Sequence, residues 1–199
     1  MTTLPTVFIT GASSGIGATY AERFARRGHD LVLVARNKSR LDALAMRLRE
    51  QHQIAVEVLQ ADLTNSAELP ALETRLRHDA RIGILINNAG MPQSGHFLEQ
   101  SPEAIESQIA LNITALTRLA AAIAPRLAQS GTGSIVNIGS VVGFSPEFGI
   151  SLYGATKAYV LFLSQGLAHE LSPQGVYVQA VLPATTRTEI WAHAGVDVN

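Results

Sequence analysis

The chain has no cysteine at any of its 199 positions. Disulfides, thiolate nucleophiles and cysteine-based zinc sites are therefore excluded. Aromatic residues are only 6% of the total and charged residues 16%, and the net charge of −1 comes from scattered acids and bases. No basic stripe is available for nucleic acid or for an anionic membrane surface. The six histidines show no metal-ligand spacing, and no metal is expected. Residues 1–6 lack the positive region of a signal peptide, so the expected location is cytoplasmic. The most apolar later stretch, residues 119–127, is interrupted by Pro125 and Arg126, which leaves it too short to span a bilayer.

What is present is a 47% hydrophobic chain of a length that suits one domain over residues 1–199. Short β-branched runs alternate with helical patterns, the signature of βαβ units around a parallel sheet. Strands are predicted at 7–10, 31–34, 54–59, 82–86, 134–138 and 176–181. Between them, helical stripes place Ile16, Tyr20 and Phe24 on one face and Leu41, Leu44 and Leu48 on another. Helices follow over 66–78, from Ser101 through Asn112 toward Ala128, and over 151–171. The fold class is α/β, a doubly wound parallel sheet with helices on both faces. Such sheets bind ligands beyond the carboxyl ends of their strands. Gly11, Ala35, Arg36, Asp62, Asn87, Ser140 and Pro183 each stand just past a strand and so share that edge.

Two local patterns carry chemistry. Tyr153 and Lys157, four apart on the last helix and thirteen residues after Ser140, lie on one helical face. A phenol beside an ammonium can act as an acid–base group, the cation favouring the phenolate and lowering the phenol's pKa. The turn from Thr10 to Gly17, containing Gly11, Ser13, Ser14, Gly15 and Ile16, joins a strand to a helix. Its glycines permit a tight turn and close approach of a ligand, and free N–H groups at the helix start suit a pyrophosphate. The second strand ends in Ala35-Arg36-Asn37 with no carboxylate. An Arg there suits a 2′-phosphate, Lys38 and Arg40 adding positive potential, and this predicts NADP(H) over NAD(H).

The glycine turn, Asn87-Asn88-Ala89-Gly90, Asn112, Ser140 and Tyr-x-x-x-Lys occur in the order and near the spacing of one family. Over nearly its whole length the chain resembles a single-domain short-chain dehydrogenase/reductase, which implies a Rossmann-type fold. The resemblance implies Asp62 and Leu63 against adenine, Asn88, Ala89 and Gly90 along the adenosine ribose, and Pro183 and Thr188 at the nicotinamide and pyrophosphate. It makes Tyr153 the proton donor in carbonyl reduction, with Lys157 lowering its pKa and binding the nicotinamide ribose. Ser140 would hold the carbonyl oxygen, and Asn112 would help position Lys157 through a water relay. Ala184 stands where the family usually has Gly, which puts the local backbone in question.

Loops after the fourth, fifth and sixth strands bring Met91, Phe97, Val142, Phe144, Phe148 and Trp191 to an expected apolar substrate pocket. The expected substrate is a small, fairly apolar ketone, aldehyde or alcohol, and the expected reaction is NADP(H)-dependent hydride transfer. Relatives usually continue through a further helix and a seventh strand, which this chain is expected to lack. The resemblance also implies a homodimer or homotetramer pairing the long helices at 104–127 and 152–171. A dinucleotide-binding sensor or scaffold without turnover is the alternative, against which intact Ser140, Tyr153 and Lys157 argue. Nucleotide-sugar epimerases and dehydratases share Tyr-x-x-x-Lys but carry a large additional substrate domain, for which 199 residues leave no room.

Overall fold

The computed structural model describes residues 4–92 and 96–184. Six strands form one parallel sheet in the order β3-β2-β1-β4-β5-β6. They are β1 (Thr6–Thr10), β2 (Leu31–Ala35), β3 (Val56–Gln60), β4 (Ile82–Asn87), β5 (Gly133–Ile138) and β6 (Val176–Val181). The order reverses between β1 and β4, which opens a crevice at their carboxyl ends. The helices are α1 (Gly15–Arg26), α2 (Lys38–His52), α3 (Leu69–His78), α4 (Pro102–Ile109), α5 (Leu116–Ser130) and α6 (Ser151–Leu171).

Because alternate strand residues point to opposite faces, the sheet divides the core in two. Val7, Ile9, Leu31 and Leu33 pack with Ala21 and Ala25 of α1 and Leu41 and Leu48 of α2. Phe8, Val32 and Leu85 pack with Leu72 and Leu76 of α3 and Leu119, Ile123 and Leu127 of α5. The buried line of α1 is Gly17, Ala21 and Ala25, not the bulkier stripe expected from the sequence. Ile16, Tyr20 and Phe24 are half-buried at the flank of that cluster, because the small residues let the helix axis come close to the sheet.

Helix α3 begins three residues later than expected. Pro70 lacks the N–H that would bond back to residue 66, and Asn65 caps the turn instead, accepting from Ala67 N at 3.0 Å. Helix α5, by contrast, runs straight through Pro125. The carbonyl this frees belongs to Ala121, and both residues are exposed, so water can satisfy it. The expectation that this apolar segment is too short to cross a membrane is thereby corrected: helical residues 102–130 pass by length and composition. In the structure its apolar face, including Leu116, Leu119, Ala120 and Ile123, is buried as part of the core.

Between α4 and α5 the chain makes a π turn, Ala110–Ala115, which places Asn112 in the interior. A second buried polar line crosses the sheet centre. Asn87 Nδ2 donates to Asn137 Oδ1 at 3.0 Å, and Asn137 Nδ2 donates to Ser164 Oγ on α6 at 2.9 Å.

Candidate active site

The glycine turn is shaped by close contacts. Gly11 has φ +64° and Gly15 φ +55°, values that favour glycine. A methyl group at Gly17 would lie 2.3 Å from the Gly11 carbonyl oxygen, so the helix start and the strand end touch backbone to backbone. Thr10, at the tip of β1, accepts from the backbone N–H groups of Asn88 and Ala89 through Oγ1, each at 3.0 Å. Asn88 returns the link by donating from Nδ2 to the carbonyls of Thr10 (3.0 Å) and Gly11 (3.1 Å). The Asn88 side chain thus holds the glycine turn, and what it offers the crevice is its backbone. Thr10 was not singled out from the sequence; its only signal is a hydroxyl residue at the strand end beside the turn.

The first turn of α1 contains no acidic residue, and Ser14 at its N-cap makes no side-chain capping bond. The helix start is therefore free of local negative charge, as an anion requires. At the end of β2, Arg36, Asn37 and Arg40 line the same crevice. Asn37 caps α2 by accepting from Arg40 N at 3.0 Å, and Gln60 Nε2 donates to the Arg36 carbonyl at 3.1 Å, which fixes the turn. Lys38 is paired with Asp42 at 2.6 Å and is not among the described lining residues. Asp62 and Leu63 form the opposite wall. Burial pushes the Asp62 carboxyl up, but hydrogen bonds from Thr64 N–H and O–H and the charge of Arg36 outweigh it, and Asp62 stays below the ordinary value. This cradle, with backbone contact where a side chain would block it and two guanidinium groups beyond, fits a dinucleotide carrying an extra phosphate.

The crevice holds about 350 Å³ and continues past Ala89 and Gly90 to Ser140, Tyr153, Lys157, Pro183 and Ala184. Ser140 Oγ reaches the Pro183 carbonyl and Val142 N, both at 3.4 Å. These contacts are long, and the hydroxyl also hydrogen-bonds the Tyr153 phenol. Lys157 is buried, with Nζ donating to the Ile138 carbonyl at 2.9 Å and lying 5.5 Å from the centre of the Tyr153 ring. Burial pushes the Lys157 ammonium down to about 8. Burial also pushes the Tyr153 phenol above its ordinary value, and its hydrogen bond with Ser140 pulls it part of the way back. The expectation that Lys157 lowers the phenol is corrected here. Burial outweighs what the neighbouring groups contribute, and the phenol stands above its ordinary value.

Asn112 and Lys157 both border Gly90. A methyl group at Gly90 would lie 3.3 Å from Asn112 Oδ1 and 3.4 Å from Lys157 Nζ. Both N–H groups of Asn112 are used, donating from Nδ2 to Met91 O (3.0 Å) and to Thr156 Oγ1 (3.1 Å), while Oδ1 accepts from Met91 N (2.9 Å).

The expected substrate pocket is less complete. Met91 is half-buried with its backbone tied to Asn112, and Val142 is buried in the turn behind Ser140. Phe97, Phe144 and Phe148 are exposed (53%, 61% and 62%) and stand outside the described lining of the crevice. Thr188 and Trp191 lie outside the described residues. Ala184 lines the crevice without a positive φ, so replacement of the usual glycine strains nothing there.

Comparison with known proteins places this geometry. The profile of the short chain dehydrogenase family matches residues 5–198. A short-chain dehydrogenase from Sphingobium yanoikuyae, solved in complex with NADPH, is 77% identical with a TM-score of 0.97, over 98% of this chain and 76% of that one. A bulky-bulky ketone specific alcohol dehydrogenase from Comamonas testosteroni is 68% identical with a TM-score of 0.93, over 94% of this chain and 74% of that one. Very-long-chain 3-oxoacyl-CoA reductase-B of Danio rerio is 33% identical over 92% of this chain, which spans only 60% of that protein's length. With its glycine turn, its Asn-Asn-Ala-Gly segment and its Ser-Tyr-Lys set on one crevice, the chain belongs to the short-chain dehydrogenase family.

Proposed function

We propose that the chain interconverts a ketone and a secondary alcohol with NADP(H), acting on apolar substrates whose carbonyl carries two bulky groups. The observation that carries this reading is one continuous crevice with Arg36 and Arg40 at one end and Ser140, Tyr153 and Lys157 at the other. The NADPH complex of the 77% identical relative supports the cofactor. The ketone preference named for the 68% identical relative supports the substrate class.

In this reading Arg36 and Arg40 hold the 2′-phosphate, the start of α1 faces the pyrophosphate, and Asp62 and Leu63 flank the adenine. Asn88, Ala89 and Gly90 border the ribose, while Pro183 and Thr188 serve the nicotinamide end. When bound, the reduced nicotinamide supplies the hydride. Ser140 donates a hydrogen bond to the carbonyl oxygen, and the Tyr153 hydroxyl gives that oxygen its proton as negative charge develops. Burial holds the phenol above its ordinary value, so its proton is in place for donation. Lys157 and Asn112 hold the setting. Residues 1–199 act as one unit carrying both sites, in the cytoplasm, as a homodimer or homotetramer.

The test is NADPH consumption with a diaryl or branched ketone, wild type against Tyr153→Phe, together with calorimetric titration by NADPH and NADH. Loss of the proton donor should lower kcat on the order of 10²–10⁴-fold while NADPH still binds, and more tightly than NADH. A Tyr153→Phe enzyme with wild-type turnover would falsify the catalytic assignment.

A further inference from the structure

We propose that Thr156 is a positioning residue, whose hydroxyl fixes which way the Asn112 carboxamide faces and so sets the wall of the crevice beside Lys157. The inference rests on the reaction proposed above only for its kinetic readout.

The argument is one of donors and acceptors. Thr156 Oγ1 lies 2.8 Å from the Tyr153 carbonyl, an atom that can only accept, so the single hydroxyl proton goes there. Toward Asn112, 3.1 Å away, the same oxygen can then only accept. Asn112 must therefore present its NH₂ to Thr156 and its oxygen elsewhere. That oxygen accepts from Met91 N at 2.9 Å, and the second N–H of the carboxamide reaches Met91 O at 3.0 Å. Turned the other way, the amide would set oxygen against the Met91 carbonyl and NH₂ against the Met91 N–H. It would also direct hydrogens toward the space shared by Gly90 and Lys157 Nζ, where an added methyl would be 3.3 Å from the present oxygen and 3.4 Å from the ammonium nitrogen. Thr156 and Asn112 are each only 1% exposed, so water does not take the place of a lost partner.

One hydroxyl thus ties three elements together: the chain after β4 through Met91, the π turn through Asn112, and α6 through the Tyr153 carbonyl. Serine preserves this logic. Valine keeps the shape of threonine and removes both the donor and the acceptor.

The experiment compares wild type, Thr156→Ser and Thr156→Val. Ketone reduction is followed across pH, and amide hydrogen exchange at Met91 N and Asn112 Nδ2 is read by NMR without substrate. Thr156→Val should lower kcat about tenfold or more and displace the pH profile, with Met91 exchange faster by a similar factor, and Thr156→Ser should restore all three. A folded Thr156→Val protein with wild-type kcat, pH profile and Met91 exchange overturns the proposal. So does one that merely melts earlier with those readouts intact. If Thr156→Val does not fold, Thr156→Ala is judged by the same criteria. If wild type itself reduces no ketone, the proposed reaction fails, and the exchange data alone decide whether Thr156 orients Asn112.

Discussion

Lys157 is the side chain whose surroundings have the largest thermodynamic reach. It is 5% exposed, and its ammonium has a single described bond, to the Ile138 carbonyl. Burial brings it from 10.5 to about 8. Between those values the unfolded chain carries the proton and the folded one does not. The unfolded state thus binds more protons, and stability contributed by this group rises with pH across the window. Tyr153 works in the opposite sense above its ordinary value of 10.0, because its folded phenol holds the proton longer. Lys157→Met removes the first effect and keeps the packing. Denaturant unfolding at about pH 7.5 and about pH 9.5 should show wild type gaining on this variant by about 1–2 kcal/mol as pH rises. A constant difference across the two conditions would mean that Lys157 does not titrate in this window. At this scale the sequence disclosed which residues meet, since a four-residue interval on a helix is geometry. It did not disclose the sign of the Tyr153 shift, which depends on how dry the space around the pair is.

At the level of elements, helix ends and helix faces separate what was legible from what was not. Helix α6 spans Ser151–Leu171 as its pattern predicts, and the six strands fall within a residue or two of expectation. The departures share one cause: each depends on a neighbour that periodicity does not describe. Pro70 follows the turn capped by Asn65 and delays α3, whereas Pro125 sits inside α5 and leaves it intact. The π turn at Asn112 is invisible to a 3.6-residue pattern, because its reason is Met91 on one side and Thr156 on the other. The outer face of α6 bears on assembly. Phe162 is 80% exposed and Tyr159 36%, with Ile109 on α4 at 38%. If the proposed oligomer joins through these helices, light scattering should give a multiple of the chain mass, and Phe162→Glu should shift it toward one. A variant that assembles like wild type would move the interface elsewhere.

For the whole molecule, the doubly wound sheet explains why its site could be anticipated from a list of strand ends. In a parallel sheet every carboxyl end lies on one edge, so Gly11, Arg36, Asp62, Ser140 and Pro183 reach one crevice although they span most of the chain. The aromatics expected around a substrate had no such anchor, and the loops that carry them leave three phenylalanines exposed.

The same architecture creates a problem of alignment. Strands covered on both faces are apolar almost throughout, so sliding β5 along β4 would exchange one aliphatic residue for another. Asn87 and Asn137 are register partners in that ladder and bond to each other. Asn87 Oδ1 nevertheless has no partner among the described residues, which marks the pair as a poor source of strength. We infer that the pair supplies fidelity: only one setting of the two central strands lets the carboxamides meet. Replacing both with leucine should leave the melting temperature near or above that of wild type and yield more than one set of amide resonances. A single clean spectrum would refute the idea. Should it hold, the strand pairing on which every catalytic distance depends is spelled by two side chains that touch neither substrate nor cofactor.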